Sequence, residues 1–207
     1  MEKFKQVLDA GCSNGNYALE VAETFPDLQV TAIDIKDQFP DPLPPNVNFR
    51  QQDLMTLKET DIYDFIYSID VLEHIKGNIT AMENLSRALK PGGFLFIHIP
   101  NDKNNKHILP GKFFTEFDQW AAKEHVGEQY TPDELSQILK DMGFTIVGSK
   151  YTFGFTGKLA WEIDRICERS FKLKILFMPV LKFLAWLSVT MPHGKGSTLV
   201  LAKKTHP

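Results

Sequence analysis

Short apolar runs alternate with stretches of helical periodicity along the chain. Residues 6–10 form an apolar run ending in Asp9 and Ala10, and a turn with glycines at 11 and 15 follows. Tyr17, Ala18, Val21, Ala22 and Phe25 then recur at helical spacing, which predicts a helix over 14–25. Further apolar runs predict strands at 29–34, 47–51, 64–69, 94–99, 144–153 and 197–202. A helix is expected over 78–89, stopped by Lys90-Pro91-Gly92-Gly93. Thr131, Pro132 and Glu134 read as a capping box opening a helix that runs to Met142 and stops at Gly143. This alternation predicts an α/β fold, a doubly wound and mostly parallel seven-stranded sheet.

Two segments break the rhythm. Residues 39–45 hold four prolines, so no crossover helix is expected between strands 2 and 3. An insertion over 154–195 separates strands 6 and 7 and is too long for a hairpin loop. Leu159, Ile163, Ile166 and Ser170 give its first part an amphipathic pattern, and 175–189 is strongly apolar. Pro179 is expected to split the apolar stretch 171–189 into two helices.

At 207 residues the chain suits a single domain over 1–207. Its 43% apolar and 24% charged content is that of an ordinary globular protein. A net charge of −3 argues against a nucleic-acid partner. Charge is uneven, however: residues 1–156 carry 14 basic and 23 acidic side chains, residues 157–207 carry 9 and 3. The basic region, with its aromatic residues, points to peripheral membrane contact through 171–190, or to a cap over a lipid-like acceptor. Lys172, Lys174, Lys182 and Pro179 argue against a membrane span there. Cys12 and Cys167 do not suggest a disulfide framework, and the first strand begins close to Met1, so a cytoplasmic location with reduced thiols is expected.

The glycine turn lies between a strand and a helix, where a ligand can approach bare backbone at a helix N-terminus. Asp34 ends the second strand, 23 residues past Gly11, where an acid can accept from both hydroxyls of a ribose. Asp53 follows the third strand and can accept from an exocyclic amine such as that of adenine. Together they describe an adenosine site across the strand C-termini.

The ordered segments VLDAGCSNG, VTAIDI, FRQQDL, YDFIYSIDVLEHI and ALKPGGFLFIHIPN resemble those of the class I S-adenosylmethionine-dependent methyltransferases, and the likeness continues through YTPDELSQILKDMGF. Within that class the chain is similar to the ubiquinone-biosynthesis O-methyltransferase type. The resemblance implies a Rossmann-like methyltransferase fold and S-adenosyl-L-methionine as cofactor. It implies that Gly11, Cys12, Ser13 and Gly15, with Asp9 before them, line the methionine and ribose end. Asp34 would hold the ribose and Ile35 would lie against the adenine. Asp53 and Leu54 would meet the adenine edge, and Ile69 would approach the amino acid end. The chain departs from the family in Ser13, which replaces a glycine, in lacking N-terminal cap helices, and in the insertion.

Methyl transfer to a hydroxyl also needs a proton acceptor, for which histidine is suited near neutral pH. His74 and His125 are the candidates, and His98, inside a strand, reads as structural. Asp70, Glu73 and His74 fall at i, i+3 and i+4, a spacing that could hold a divalent ion. A capping acid beside a surface Glu-His pair is the preferred reading, so no metal is expected. Two alternatives stay open: a nicotinamide-dependent oxidoreductase and a non-catalytic cofactor-binding partner protein. The former is disfavoured because the glycines do not follow the G-x-G-x-x-G spacing.

Overall fold

A computed structural model describes residues 4–101, 107–190 and 194–205. Seven strands form one sheet: β1 (Gln6–Ala10), β2 (Gln29–Asp34), β3 (Val47–Gln51), β4 (Tyr63–Ile69), β5 (Leu89–Pro100), β6 (Phe144–Thr152) and β7 (Ser197–Lys204). Their order is β3-β2-β1-β4-β5-β7-β6. The first five strands pair in parallel, and β7 runs antiparallel to both neighbours. The direction reverses there because β7 returns beside β6 instead of crossing over the sheet.

Among the described residues the helices are α1 (Asn16–Thr24), α2 (Asn78–Ala88), α3 (Thr115–Glu124), α4 (Pro132–Asp141), α5 (Phe155–Cys167) and α6 (Phe171–Thr190), and of these α3 was not expected from the apolar spacing. α2 buries Ala81, Met82, Leu85 and Ala88, and α4 buries Leu135 and Leu139. Both helices share the larger core with Leu8, Ile66, Leu95 and Ile97, and α4 lies against β6 and β7. α1 packs Ala18 and Ala22 on Val30, Ala32 and Val47 in a smaller core. The capping box of α4 forms: the Glu134 amide donates to Thr131 Oγ1 at 3.3 Å, and the Thr131 amide to Glu134 Oε2 at 2.8 Å.

Several boundaries differ from the sequence reading. Lys90-Pro91-Gly92-Gly93 lies inside β5, where a register shift lets Tyr63 face Leu89 and Phe65 face Phe94. The extra residues bulge out, so a break motif is carried within a strand. No crossover helix joins β2 to β3, as expected; Phe39 stacks on Phe49 at 4.8 Å and covers the smaller core instead.

The insertion holds two helices, but the break falls between α5 and α6 and not at Pro179, which lies inside α6. A proline removes one helical hydrogen bond. Pro179 and Ile175 are both exposed, so water can satisfy the freed Ile175 carbonyl. Of the inserted segment, residues 191–193 lie outside the described residues.

Candidate active site

The chain turns sharply where β1 ends. The Gly11 and Cys12 amides both donate to the Ile33 carbonyl, at 2.8 and 2.9 Å, which folds the turn against β2. Gly11 and Gly15 adopt φ of 89° and 79°. A Cβ at Gly11 would collide with Val71, and one at Gly15 with the Phe39 ring, so both positions require glycine. Ser13 takes the left-handed conformation too, with φ 49°. Its amide donates to Asp34 Oδ2 at 2.8 Å, while the Lys36 amide donates to Asp34 Oδ1 at 2.9 Å. Asp34 thereby clamps the turn to the end of β2 and keeps lone pairs for further donors.

Beside it, Ile35 is 62% exposed, an apolar side chain open to a flat ligand. Asp53 caps a 3-10 turn, Leu54–Thr56, by accepting from the Met55 amide at 2.8 Å. Leu54 is buried in the larger core, so its side chain is not offered to a ligand. Ile69 ends β4 two residues before Val71, which reaches the turn at Gly11.

Asp9 is buried opposite Tyr67 across the β1–β4 ladder. Burial pushes its carboxyl up to about 7, against the Tyr67 hydroxyl and the Ala18 amide, which favour the charged form. Asp9 Oδ2 and the Tyr67 hydroxyl nonetheless meet no partner at hydrogen-bond geometry. Burial, then the charges of Asp9 and Asp34, push the Cys12 thiol up to about 12, so it stays protonated. Both cysteines are free and buried.

The raised carboxyl makes a prediction. Asp9 binds its proton more tightly folded than unfolded, so its contribution is fully present below pH 3.8 and lost as pH rises through about 7. The shift corresponds to on the order of 4 kcal/mol. Between pH 4 and 7, denaturant unfolding should show wild type losing stability relative to Asp9→Asn.

His74 and His125 come together, with ring centroids 4.9 Å apart. His74 lies in a 3-10 turn, Leu72–His74, just after Val71. Three bonds bring the 124–130 segment to it. The Gly127 amide donates to the Glu73 carbonyl at 2.7 Å, and Asn78 Nδ2 bridges the Leu72 and Glu128 carbonyls at 3.0 and 2.8 Å. His74 Nδ1 lies 3.1 Å from the Glu124 carbonyl. A carbonyl only accepts, so Nδ1 carries the hydrogen and Nε2 of the neutral ring keeps its lone pair.

Two readings of this neighbourhood need correction. Glu73 is buried at 1% exposure and is no surface residue. Asp70 does not join it, because left-handed backbone (φ 54°) turns Asp70 to His98, with Oδ1 2.7 Å from Nδ1. Glu73, His74 and His125 instead offer three ligand atoms within 4.8 Å of one another. His98 Nε2 meets Thr152 Oγ1 at 3.0 Å, so both ring nitrogens are engaged.

Glu162 of α5 was not anticipated. It is fully buried and accepts from the Ile108 amide at 2.9 Å and the Leu109 amide at 2.7 Å. His107 lies between Glu162 (3.4 Å) and Asp118 of α3 (2.9 Å) and stacks on Phe114. Burial pulls the ammonium of nearby Lys158 below its usual range, against Glu162. This cluster fastens the segment after β5 to the insertion. Glu162→Ala should cost about 3 kcal/mol. Hydrogen exchange should show the Ile108 and Leu109 amides losing protection.

A seven-stranded sheet of this order, a glycine turn closing β1 and an acid ending β2 together define the class I S-adenosylmethionine-dependent methyltransferases. The chain belongs to the family described as "Methyltransferase domain", which matches residues 2–149. It is 29% identical over 170 residues to phosphoethanolamine N-methyltransferase 1 of Arabidopsis thaliana, covering 78% of this chain and 33% of that protein. It is 30% identical over 154 residues to the ubiquinone biosynthesis O-methyltransferase of Coxiella burnetii, covering 70% of this chain and 65% of the relative. A phosphoethanolamine N-methyltransferase 2 from Haemonchus contortus, solved with S-adenosyl-L-methionine, superposes with a TM-score of 0.67 at 19% identity. The match covers 100% of this chain and 50% of that one. The chain thus spans a third of the plant relative and half of the Haemonchus protein.

Proposed function

We propose that the chain transfers a methyl group from S-adenosyl-L-methionine to an oxygen of a small or lipid-like acceptor. The residues present suit the cofactor. Asp34 retains lone pairs for a ribose, Ile35 offers an apolar face for adenine, and Asp53 stands at the edge beyond it. Asp9 and Tyr67 hold buried polar atoms that a cationic amino acid end would satisfy. When bound, S-adenosylmethionine supplies a methyl group already activated by its sulfonium.

The chain's own work is alignment and proton removal. Gly11, Cys12, Ser13 and Gly15 offer the close backbone approach, with Ile69 at the mouth. His74 Nε2 takes the acceptor's proton, and His125 packs against the same ring. The observation that carries this role is the Nδ1 contact to the Glu124 carbonyl, which leaves Nε2 as the base. Within the insertion over 154–195, α5 acts as the cap, because its Glu162 ties it to the segment leaving the strand edge.

The relatives' names include both a nitrogen and an oxygen acceptor. A hydroxyl loses its proton as it is methylated and an ammonium must lose one before it can attack, so a histidine base serves either acceptor, and the choice of oxygen rests on the likeness to the ubiquinone-type relatives. A panel of phenols, alcohols and amines, read by S-adenosylhomocysteine release, tests the reading; turnover confined to amines counts against it. Without a metal role, turnover should be unchanged by a chelator. Loss restored by a divalent ion would assign Glu73, His74 and His125 as ligands instead.

A further inference from the structure

We propose that α6 seats the protein on the surface of an anionic lipid bilayer. α6 is 20 residues long, and ten of them are large apolar side chains exposed to solvent. Leu176, Val180, Phe183 and Trp186 follow at i, i+4, i+7 and i+10, which puts them on one face. Their exposures run from 46% to 69%. Leu181, on the other side of the helix, is buried, and Met178 and Leu181 line an apolar groove of about 510 Å³ shared with Trp161 of α5. The outward face is therefore continuous, apolar and uncovered, as surfaces built for contact are. No helix among the described residues is long and apolar enough to cross a membrane, so α6 docks on a surface and does not span it.

Charge selects the occupant. α6 carries Lys172, Lys174 and Lys182 and no acid; Lys174 pairs with Asp164 of α5 at 3.4 Å, and Lys182 stands at the groove, so Lys172 and Lys182 are the cations offered to a surface. Residues 157–207 hold 9 basic and 3 acidic side chains, while the rest of the chain is acidic. A bilayer with anionic headgroups offers apolar depth and negative charge together, and lysine stems reach from one to the other. Phe183 and Trp186, with ring centroids 6.0 Å apart, are of the residue types that favour the headgroup level.

Position adds to this. The insertion leaves the sheet after Thr152 and returns at Ser197, which pairs with both Thr152 and Pro100. That is the strand edge on which the glycine turn opens, so docking through α6 brings this edge to the lipid. The inference goes beyond the proposed reaction, and its test reads vesicle binding and not turnover.

The full chain is expected to co-float with vesicles of phosphatidylglycerol and phosphatidylcholine, weakly with phosphatidylcholine alone, and less at about 0.5 M salt. Phe183→Ser with Trp186→Ser, and separately Lys172→Glu with Lys182→Glu, should each lower partitioning at least about tenfold. Circular dichroism and S-adenosylhomocysteine affinity should stay at wild-type values in both. Failure to bind anionic vesicles, or binding unchanged in both double variants, overturns the proposal. So does a dimer in vesicle-free sedimentation that Phe183→Ser with Trp186→Ser dissolves, since the face would then join two copies of the chain.

Discussion

Asp34→Ala is expected to weaken S-adenosylhomocysteine binding about 10–150-fold. The carboxylate does two jobs at once. It accepts from the Ser13 and Lys36 amides at 2.8 and 2.9 Å, which holds the turn to β2. Its remaining lone pairs face the place proposed for the ribose. Losing charge-assisted bonds to the ligand costs about 1.5–3 kcal/mol, which sets the fold-change. Asp34→Asn should fall between, since its one carbonyl oxygen can serve one amide and its NH2 meets the other as donor against donor. Calorimetry reads both variants. Wild-type affinity in Asp34→Ala would remove this acid from the site.

The second large effect is on turnover. His74→Ala should lower kcat by roughly 10²–10⁴-fold, with S-adenosylhomocysteine affinity little changed. The His125→Ala loss should be smaller if its ring mainly orients His74, whose centroid is 4.9 Å away. His74→Gln offers a hydrogen-bonding side chain but no base, and should not rescue. Full turnover in both alanine variants would take histidine out of the chemistry, and equal loss of cofactor affinity would make His74 a binding residue.

The strands and their order of appearance were legible because apolar runs, turn glycines and the capping box at Thr131 are local signals. The glycine turn and Asp34 were legible for the same reason: a short stretch of chain carries each. What stayed hidden depends on register and on distant packing. Nothing near Asp9 in sequence marks Tyr67 as its neighbour, which the β1–β4 ladder decides. His74 and His125 meet only because Asn78 and Gly127 tie two segments about fifty residues apart. Glu73 looked like a surface acid because its burial is imposed by that same tie. Helix α3 was missed, since its short pattern is held by packing on α5 through Phe117 and Trp161. Pro179 was read by its local rule, which solvent access to the freed carbonyl overrides.

The central claim is that this chain holds S-adenosylmethionine or its product at the turn after β1. A crystal structure grown with saturating S-adenosylhomocysteine tests it most directly. The account predicts ligand density along Gly11 to Gly15, with the ribose hydroxyls on Asp34, the base against Ile35 and the amino group near Asp9 and Tyr67. An empty turn under saturation, or a nicotinamide dinucleotide bound there in preference, would contradict it.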